Sequence, residues 1–450
     1  KILISSFGSA AYGISVSIAQ FLSYITLLEG GIGGVARAKL YGPLAQGDRH
    51  AISVVYHSVK HFFYYVAAAF LLYSVALGLL YHDLAHVTVL SRAYTFCLVL
   101  VISLTTLAKY VGGLANLTLL TADQKQYVNN YISIGTTVVN TAFIIALARS
   151  GYGLLWVKLG SSLVFLIRPA LYAVYVRKHY WLPKTGRDKA VLDQKWTGIG
   201  QHIAYFLHRN TDVVLLTLFS DVRLVAVYSV YNLIISSIRA IAEAVSGGME
   251  ATFGELLASG KHDKLICAYK QYKVLLSAAS VSLFCCTGIL IVPFVRLYTQ
   301  GVTDADYIQP LFAIVLIAAE AINCLVLPCA SLPIAADQMR QTRWGAYGEA
   351  LINITVSCAL MRWQPMLGVA FGTLAATVFR GLYYMVYSSR TILHISPRGN
   401  IFALAGILAT MCAGIYVGCY FVGRLEIDSY FRWVICGAVT FGIICVPVGI

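Results

Sequence analysis

The sequence predicts an all-α membrane protein that crosses the bilayer many times. Of its 450 residues, 59% are hydrophobic and only 12% are charged, whereas a soluble protein of this length carries about 25% charged residues. Apolar runs of roughly twenty residues, each long enough to span a bilayer as a helix, follow one another along the chain. They are continuous, unlike the alternating ten-residue segments of a membrane β-barrel. An internal repeat further predicts two similar lobes.

Thirteen hydrophobic segments are predicted to be helices, joined by short connections. Their approximate limits are residues 13–36, 53–80, 93–120, 128–148, 153–176, 197–219, 223–250, 274–295, 308–335, 345–361, 366–388, 401–422 and 430–450. The opening stretch, KILISSFGSAAYG, has the composition of a helix end followed by an outside turn. We therefore expect most of a first helix to be missing from this sequence, and the full protein to have about fourteen membrane helices.

The net charge of +14, from 33 Lys and Arg against 19 Asp and Glu, is predicted to reflect membrane topology. Basic connections alternate along the chain with connections that carry few cations, and an excess of Lys and Arg marks the cytoplasmic side. The most basic connections begin at residues 177 (RKHYWLPKTGRDKAVLDQK) and 261 (KHDKLICAYKQYK). This pattern predicts that the basic loops are cytoplasmic, and it argues against nucleic-acid binding.

The repeat begins with a phrase that occurs twice, GGIGGVARAKLYGPLAQGDR at residue 30 and SGGMEATFGELLASGKH at residue 246. The segment TADQKQ recurs as AADQMRQ, and GSSLVFLIRPALYAVYV recurs as GTLAATVFRGLYYMVYS, all at an offset of about 212 to 216. These matches predict two parallel six-helix lobes around a central cavity, an arrangement suited to alternating access. The predicted division is 1–176, a linker at 177–196, 197–390, and two further helices in 391–450.

Charged side chains inside a membrane cost several kcal/mol and commonly mark functional sites. Four predicted helices carry polar or charged side chains on one face, which together predict a hydrated cavity. The main members of these stripes are Lys158, Arg168, His202, Arg209, Asp212, Asn232, Arg239, Glu243 and Arg380.

The cations among them fall into two groups. Arg209 with Asp212, and Arg239 with Glu243, are spaced either as neutral pairs within one helix or as cavity groups. The remaining cations, Lys109, Lys158, Arg168 and Arg380, have no acidic neighbour one turn away. They are predicted to serve the cavity, with packing or snorkelling to the interface as the alternative.

Arg168 and Arg380 match in the repeat and lie about 21 Å from the outer ends of their helices. One arginine in each lobe at equal depth predicts a two-sided grip on a diphosphate, because the guanidinium fork fits phosphate oxygens. Glu320 and Glu349 are predicted to be the unpaired acids of the second lobe. They would either carry a coupling proton or serve as satisfied carboxylates.

The two lobes, the pattern YG…LLEGGIGG…LAQGD, the basic linker and the stretch HRNTDVVLLTLF resemble the polysaccharide-exporter branch of the multidrug/oligosaccharidyl-lipid/polysaccharide (MOP) superfamily. The resemblance is greatest to Wzx-type flippases of O-antigen and capsule repeat units. It implies a MATE-like fold in the inner (cytoplasmic) membrane, and transport of undecaprenyl-diphosphate-linked oligosaccharide for cell-surface polysaccharide biosynthesis. By this resemblance Glu29 stands for the family's acidic residue after Leu-Leu, and Asp212 for the Asp of the seventh helix. The wording Leu-Glu-Gly-Gly departs from the more usual Leu-Asp-x-Gly.

The expected partners are the lipid-linked oligosaccharide and the bilayer, with a polymerase or chain-length regulator also compatible with the resemblance. A monomer with two fused lobes would suffice. The sequence has no Gly-rich phosphate loop, metal-binding cluster or nucleophile motif, so we expect neither a cofactor nor an enzyme. The longest outside loop, RLYTQGVTDADY, is too short for a catalytic domain. The alternative is a cation-coupled MATE-type multidrug exporter, which Glu29, Glu320 and Glu349 keep open.

Overall fold

The computed structural model describes residues 1–29, 32–183, 199–425 and 427–448, and within these ranges the chain forms helices and turns without strands. The helices are α1 Ile2–Ser23, α2 Thr26–Glu29, α3 Ile32–Gln46, α4 Arg49–Leu84, α5 Arg92–Ala108, α6 Leu114–Ala122, α7 Gln126–Arg149, α8 Leu154–His179, α9 Ile199–Phe219, α10 Val222–Ala258, α11 His262–Tyr298, α12 Pro310–Ala335, α13 Met339–Leu360, α14 Pro365–Tyr387, α15 Arg398–Val422 and α16 Tyr430–Val448. In these ranges, ten helical stretches are long and apolar enough to cross a membrane. The predicted all-α, multi-pass membrane fold is confirmed.

The chain divides into two compact units, Ile2–Ile203 and Ala204–Ile450. In the first unit α4 packs on α5, α5 on α8, and α7 on α8. In the second unit the corresponding pairs, α11 with α12, α12 with α14, and α13 with α14, also pack together. In addition, α15 and α16 pack on α11. The predicted linker 177–196 lies largely outside the described residues, and the predicted lobe limits remain predictions.

The repeat is visible in the backbone of the turns. Both copies of the phrase Leu-Ala-x-Gly end a helix at a glycine with positive φ, Gly47 and Gly260, each at +67°. Gln124 and Asp337, separated by 213 residues like the two glycines, also have positive φ, at +56° and +53°. Left-handed backbone at matched positions terminates the helices in the same way in both units.

Two sequence predictions about helix limits need correction. The predicted helix 13–36 is divided into α1, α2 and α3, and α1 starts at Ile2 with non-helical backbone at Gly8 (φ +82°, ψ 165°). The stretch KHDKLICAYKQYK, predicted to be a basic loop, forms the first turns of α11. Its apolar residues Leu265, Tyr269 and Tyr272 are buried at helical spacing, which makes this segment amphipathic.

One end of the first unit is tied together by polar contacts outside the membrane helices. The Tyr180 hydroxyl, just past α8, donates to Asp123 in the α6–α7 turn. Lys125 in the same turn lies 2.8 Å from Asp123 and donates to the Tyr180 hydroxyl. The hydrogen bond to Asp123 raises the pKa of the Lys125 ammonium, so this ammonium is charged at neutral pH. Two basic connections of the sequence therefore meet at one end of this unit.

Candidate functional site

Several helices of the first unit have irregular segments that lie close together, at a similar depth along the helix axes. A π-helical turn, Lys109–Gly113, joins α5 to α6, and α8 contains Pro169. A Cβ atom on Gly112 would lie 3.4 Å from Pro169 Cβ, so the two irregularities are in contact. Non-helical backbone at membrane depth occurs where it is buried in protein or lines a water-filled cavity, and π turns are frequent at functional sites.

Glu29 belongs to the same level. The buried Tyr110 hydroxyl donates to Glu29 Oε1 at 2.5 Å, and Lys109 Nζ lies 3.5 Å from the same oxygen. Glu29 follows the interruption between α1 and α2, which is therefore a third irregular segment at this level. Lys109 has no acidic neighbour one turn away in the sequence; its partner in the structure is Glu29, on a segment distant in sequence. The Lys109 side chain remains 47% exposed.

Arg168 of α8 is held by neutral oxygen atoms of α7. Its Nε donates to Thr136 Oγ1 at 2.6 Å, and its Nη2 donates to Thr137 Oγ1 at 2.9 Å and to the Ser133 carbonyl at 3.2 Å. The guanidinium also lies 4.4 Å from the centre of the Phe165 ring. Among the residues that the structure describes, no carboxylate lies within 4 Å of it. In this part of the chain, the charge of Arg168 is therefore not balanced by an acidic partner.

The side of α7 beside Arg168 carries both polar and apolar exposed side chains. Asn130, Thr137 and Thr141, at i, i+7 and i+11, share this side and are all exposed in the unit. The Tyr172 hydroxyl, one turn beyond Arg168, donates to Asn129 Oδ1 at 2.6 Å. The Thr141 hydroxyl donates to the Thr137 carbonyl, and Ile134 on the same side is 63% exposed, so the polar groups of this side are concentrated around Arg168.

Lys158 lies one turn from the start of α8 and is half-buried. In the described part of the chain it has neither an ion pair nor a hydrogen bond. The candidate residues of the first unit thus comprise three cations, Lys109, Lys158 and Arg168, and one carboxylate, Glu29.

The second unit contains an alternating chain of charges. Arg209 of α9 donates to Glu243 of α10, and Glu243 lies 3.7 Å from Arg239 Nε on the same helix. Arg239 Nη1 donates to Glu320 Oε1 of α12 at 2.5 Å, and Asn323 Nδ2 lies 3.3 Å from the other carboxylate oxygen. The chain joins α9, α10 and α12. Glu320 is therefore a satisfied carboxylate, the second of the two alternatives left by the sequence, and it is paired with Arg239.

Asp212 of α9 is buried among hydroxyl groups. It accepts from the Tyr228 hydroxyl at 2.9 Å and from Thr373 Oγ1 at 3.0 Å, and it does not pair with Arg209 as one sequence alternative supposed. Asn353 Nδ2 lies 3.1 Å from Thr373 Oγ1, while its buried Oδ1 has no hydrogen-bond partner among the described residues. Carboxylate, hydroxyl and amide oxygens together are the ligands that hard cations prefer.

Glu349 of α13 and Arg380 of α14 form a buried ion pair, with Arg380 Nη1 3.1 Å from the carboxylate. The sequence had left Glu349 as either a coupling carboxylate or a satisfied one, and Arg380 without an acidic neighbour one turn away on its own helix; its partner lies on the neighbouring helix. The candidate residues of the second unit are thus three arginines, Arg209, Arg239 and Arg380, and four carboxylates, those of Asp212, Glu243, Glu320 and Glu349.

Two further candidate residues, Asn232 and His202, have few or no described contacts. Asn232 is half-buried on α10, and the His202 side chain lies outside the part of the chain whose side chains are described. Sequence reasoning missed the hydroxyl partners Tyr110, Thr136 and Tyr228. The repeat held a signal for one of them, because Thr136 occupies the position that Glu349 occupies in the second copy.

The helix order and packing are those of membrane transporters of known structure. The lipid II flippase MurJ in an inward closed conformation has a TM-score of 0.69 and 14% identity, and the match covers 98% of this chain and 94% of that one. An inward-facing MATE family multidrug resistance transporter of the MOP superfamily has a TM-score of 0.62 and 11% identity, over 90% and 93% of the two chains. The eukaryotic MATE transporter AtDTX14 has a TM-score of 0.62 and 12% identity, over 93% and 91%.

No family model and no curated protein matches the sequence. At these identities the structural matches establish a shared fold, so the MATE-like architecture expected from the sequence is confirmed. The Wzx-type branch remains an expectation from the resemblance.

Proposed function

We propose that the protein is a flippase that moves undecaprenyl-diphosphate-linked oligosaccharide across the cytoplasmic membrane by alternating access, for cell-surface polysaccharide biosynthesis. The observation that carries the proposal is the cationic interior of the first unit. The candidate residues of this unit are three cations, Lys109, Lys158 and Arg168, and one carboxylate, Glu29, and among the described residues Arg168 is bound by neutral oxygens. A diphosphate brings the complementary negative charge, and guanidinium N–H groups bind its oxygens strongly.

The helix irregularities support the same proposal. Transporters of several folds place their substrates where membrane helices are broken, because the freed backbone groups can then contact polar ligands or water. In this chain the interruption before Glu29, the turn Lys109–Gly113 and Pro169 lie close to two of the candidate cations, Lys109 and Arg168. The likeness to MurJ, a lipid II flippase, is consistent with a lipid-linked cargo.

The direction of transport follows from the charge of the loops. Under the positive-inside rule the basic connections are cytoplasmic, the side on which lipid-linked oligosaccharides are expected from the family resemblance. Movement of a lipid between leaflets forms and breaks no covalent bond, so the protein acts as a transporter and not as an enzyme. A polymerase or a chain-length regulator would take the product on the outer side.

The second candidate is a cation-coupled multidrug exporter, favoured by the oxygen cluster of Asp212, Thr373 and Asn353. MATE transporters share the fold, and an organic cation would need carboxylates in its path. Three of the four candidate carboxylates of the second unit are neutralised by arginines, which weighs against this reading. The Asp212 cluster is equally compatible with a coupling cation in a flippase.

The two candidates are separated by one reconstitution experiment. The purified protein in vesicles would be given fluorescent undecaprenyl-diphosphate oligosaccharide in one assay and ethidium in another, with and without proton and sodium gradients. The flippase proposal expects the lipid to reach the opposite leaflet faster than in protein-free vesicles, with no ethidium movement. Gradient-dependent ethidium transport without lipid movement would establish the exporter instead.

A further inference from the structure

We propose that the diphosphate is bound by Arg168 of the first unit, and that its repeat equivalent, Arg380, is closed to anions by Glu349. This assignment rests on the proposed function and replaces the symmetric two-sided grip expected from the sequence. It identifies Arg168 as the specificity-determining arginine. It also identifies the position at which the two copies differ, which is Thr136 in the first and Glu349 in the second.

Arg168 and Arg380 occupy equivalent places. Each lies on the last helix of its six-helix repeat, at an offset of 212 residues. Each also reaches to the preceding helix of its own unit, Arg168 to α7 and Arg380 to α13. The contacted positions, Thr136 and Glu349, correspond at an offset of 213. The two copies therefore share the geometry and differ in the acceptor, a hydroxyl in one and a carboxylate in the other.

This difference determines which of the two guanidinium groups lacks a carboxylate partner among the described residues. The Arg168 hydrogen bonds use Nε and Nη2, and within the described ranges its Nη1 donates no hydrogen bond. Its guanidinium is held in place by neutral acceptors while donors remain for a ligand. A phosphate oxygen at Arg380 would approach the Glu349 carboxylate, 3.1 Å from the guanidinium and 1% exposed. Like-charge repulsion in a poorly screened interior opposes such binding.

The exposed side chains of the two helices do not separate the copies. Trp344 and Leu351 of α13 are 66% and 64% exposed, and their equivalents on α7, Tyr131 and Val138, are 73% and 64% exposed. The contrast between the two arginines therefore lies in the acceptor that each contacts, the Thr136 hydroxyl or the Glu349 carboxylate.

The test is binding of undecaprenyl diphosphate to the purified full-length protein in detergent, measured by native mass spectrometry. Arg168→Gln is expected to weaken binding by about tenfold or more, because a charge-assisted hydrogen bond is lost. Thr136→Glu places a carboxylate beside Arg168, as Glu349 does beside Arg380. Its affinity for the lipid is expected to be about tenfold lower than that of the control variant Thr136→Gln. The double variant Glu349→Gln with Arg380→Gln is expected to bind within about twofold of wild type, since P–O⁻ groups do not contact that pair.

Thr137→Glu provides a second acidic variant for the case in which Thr136→Glu does not fold, because Thr137 is exposed and lies 2.9 Å from Arg168 Nη2. If Thr136→Glu and Thr137→Glu both bind the lipid as tightly as the wild type, the assignment of Arg168 is overturned. The flippase proposal would still stand. Equal loss in Arg168→Gln and in the Glu349/Arg380 double variant would restore the two-sided grip. Failure of the wild type to bind the lipid, in an assay that detects it on a known undecaprenyl-diphosphate-binding protein, would overturn the proposed function and the assignment together.

Discussion

The Glu349 carboxylate lies 3.1 Å from the Arg380 guanidinium, with only 1% of the Glu349 side chain exposed. This buried pair joins α13 to α14, the two helices that pack most extensively on each other in the second unit. Its equivalent in the first unit, Thr136 with Arg168, makes the same bridge without a negative charge. The two repeats thus share one contact geometry, but among the described residues the arginine is neutralised by a carboxylate in the second unit and not in the first.

Breaking this pair is expected to be more harmful than removing it. Glu349→Gln or Arg380→Gln alone should lower the free energy of unfolding by about 3–5 kcal/mol, because a buried charge loses its ion-pair partner. The double variant should lose clearly less than the sum of the two. Titration with a denaturing detergent in mixed micelles measures all three variants. Additive losses would show that the two side chains do not interact.

The matched glycines Gly372 and Gly160 are expected to differ in their tolerance of alanine. A Cβ on Gly372 would lie 1.9 Å from Ser357 Oγ and 2.9 Å from the Asn353 carbonyl oxygen, whereas a Cβ on Gly160 would meet only the side chains of Phe143 and Leu147 within 3.2 Å. Side chains can rotate and backbone cannot, so Gly372→Ala should cost roughly 2 kcal/mol or more. Gly160→Ala should cost distinctly less in the same unfolding assay. Equal costs would contradict the close approach of α13 and α14.

The hydroxyl of Tyr110 is expected to stabilise the irregular level of the first unit. Tyr110→Phe removes the 2.5 Å hydrogen bond to Glu29, and loss of a buried bond to a charged group costs about 1.5–3 kcal/mol. Tyr127→Phe is the control, because that hydroxyl is exposed and lies 3.4 Å from the Tyr175 hydroxyl. Thermal unfolding of both variants measures the difference. If the Tyr110→Phe protein is as stable as the control, the hydrogen bond to Glu29 does not contribute to stability.

The sidedness of the loops is a prediction from the sequence that tag insertion can test in intact cells. Short epitopes would be placed beside Gly151 and Gly260, both in turns with positive φ, +78° and +67°, where insertions are best tolerated. The tag at Gly151 should be accessible to antibody from outside, and the tag at Gly260 only after permeabilisation. The reverse pattern would place the basic loops outside and invert the proposed direction of transport.

The helices and the repeat could be predicted because both depend on local sequence. Apolar runs define membrane spans by length, and the phrase ending at Gly47 and Gly260 stops helices wherever it occurs. The first turns of α11 were misassigned because a basic amphipathic helix and a basic loop share a composition. The π turn at Lys109 could not be foreseen, since its sequence KYVGG contains no proline.

The charge pairing could not be predicted, because the partners lie on different helices. The spacing rule for one helix considers residues three or four apart, whereas Arg239 meets Glu320 and Arg380 meets Glu349 across helix contacts. Comparison of the repeat copies gives a partial remedy. Thr136 and Glu349 occupy matched positions, and that difference marks which arginine has a carboxylate partner on the neighbouring helix.

The central claim is that a positively charged first unit selects a diphosphate-linked cargo. The most direct measurement is the rate at which reconstituted wild-type protein moves three lipids with the same sugar and the same polyprenyl chain, linked through a diphosphate, a monophosphate or a neutral ether. The account predicts that the diphosphate-linked lipid crosses fastest and that Arg168→Gln abolishes its advantage. Equal rates for all three lipids, or no movement of any of them, would contradict it.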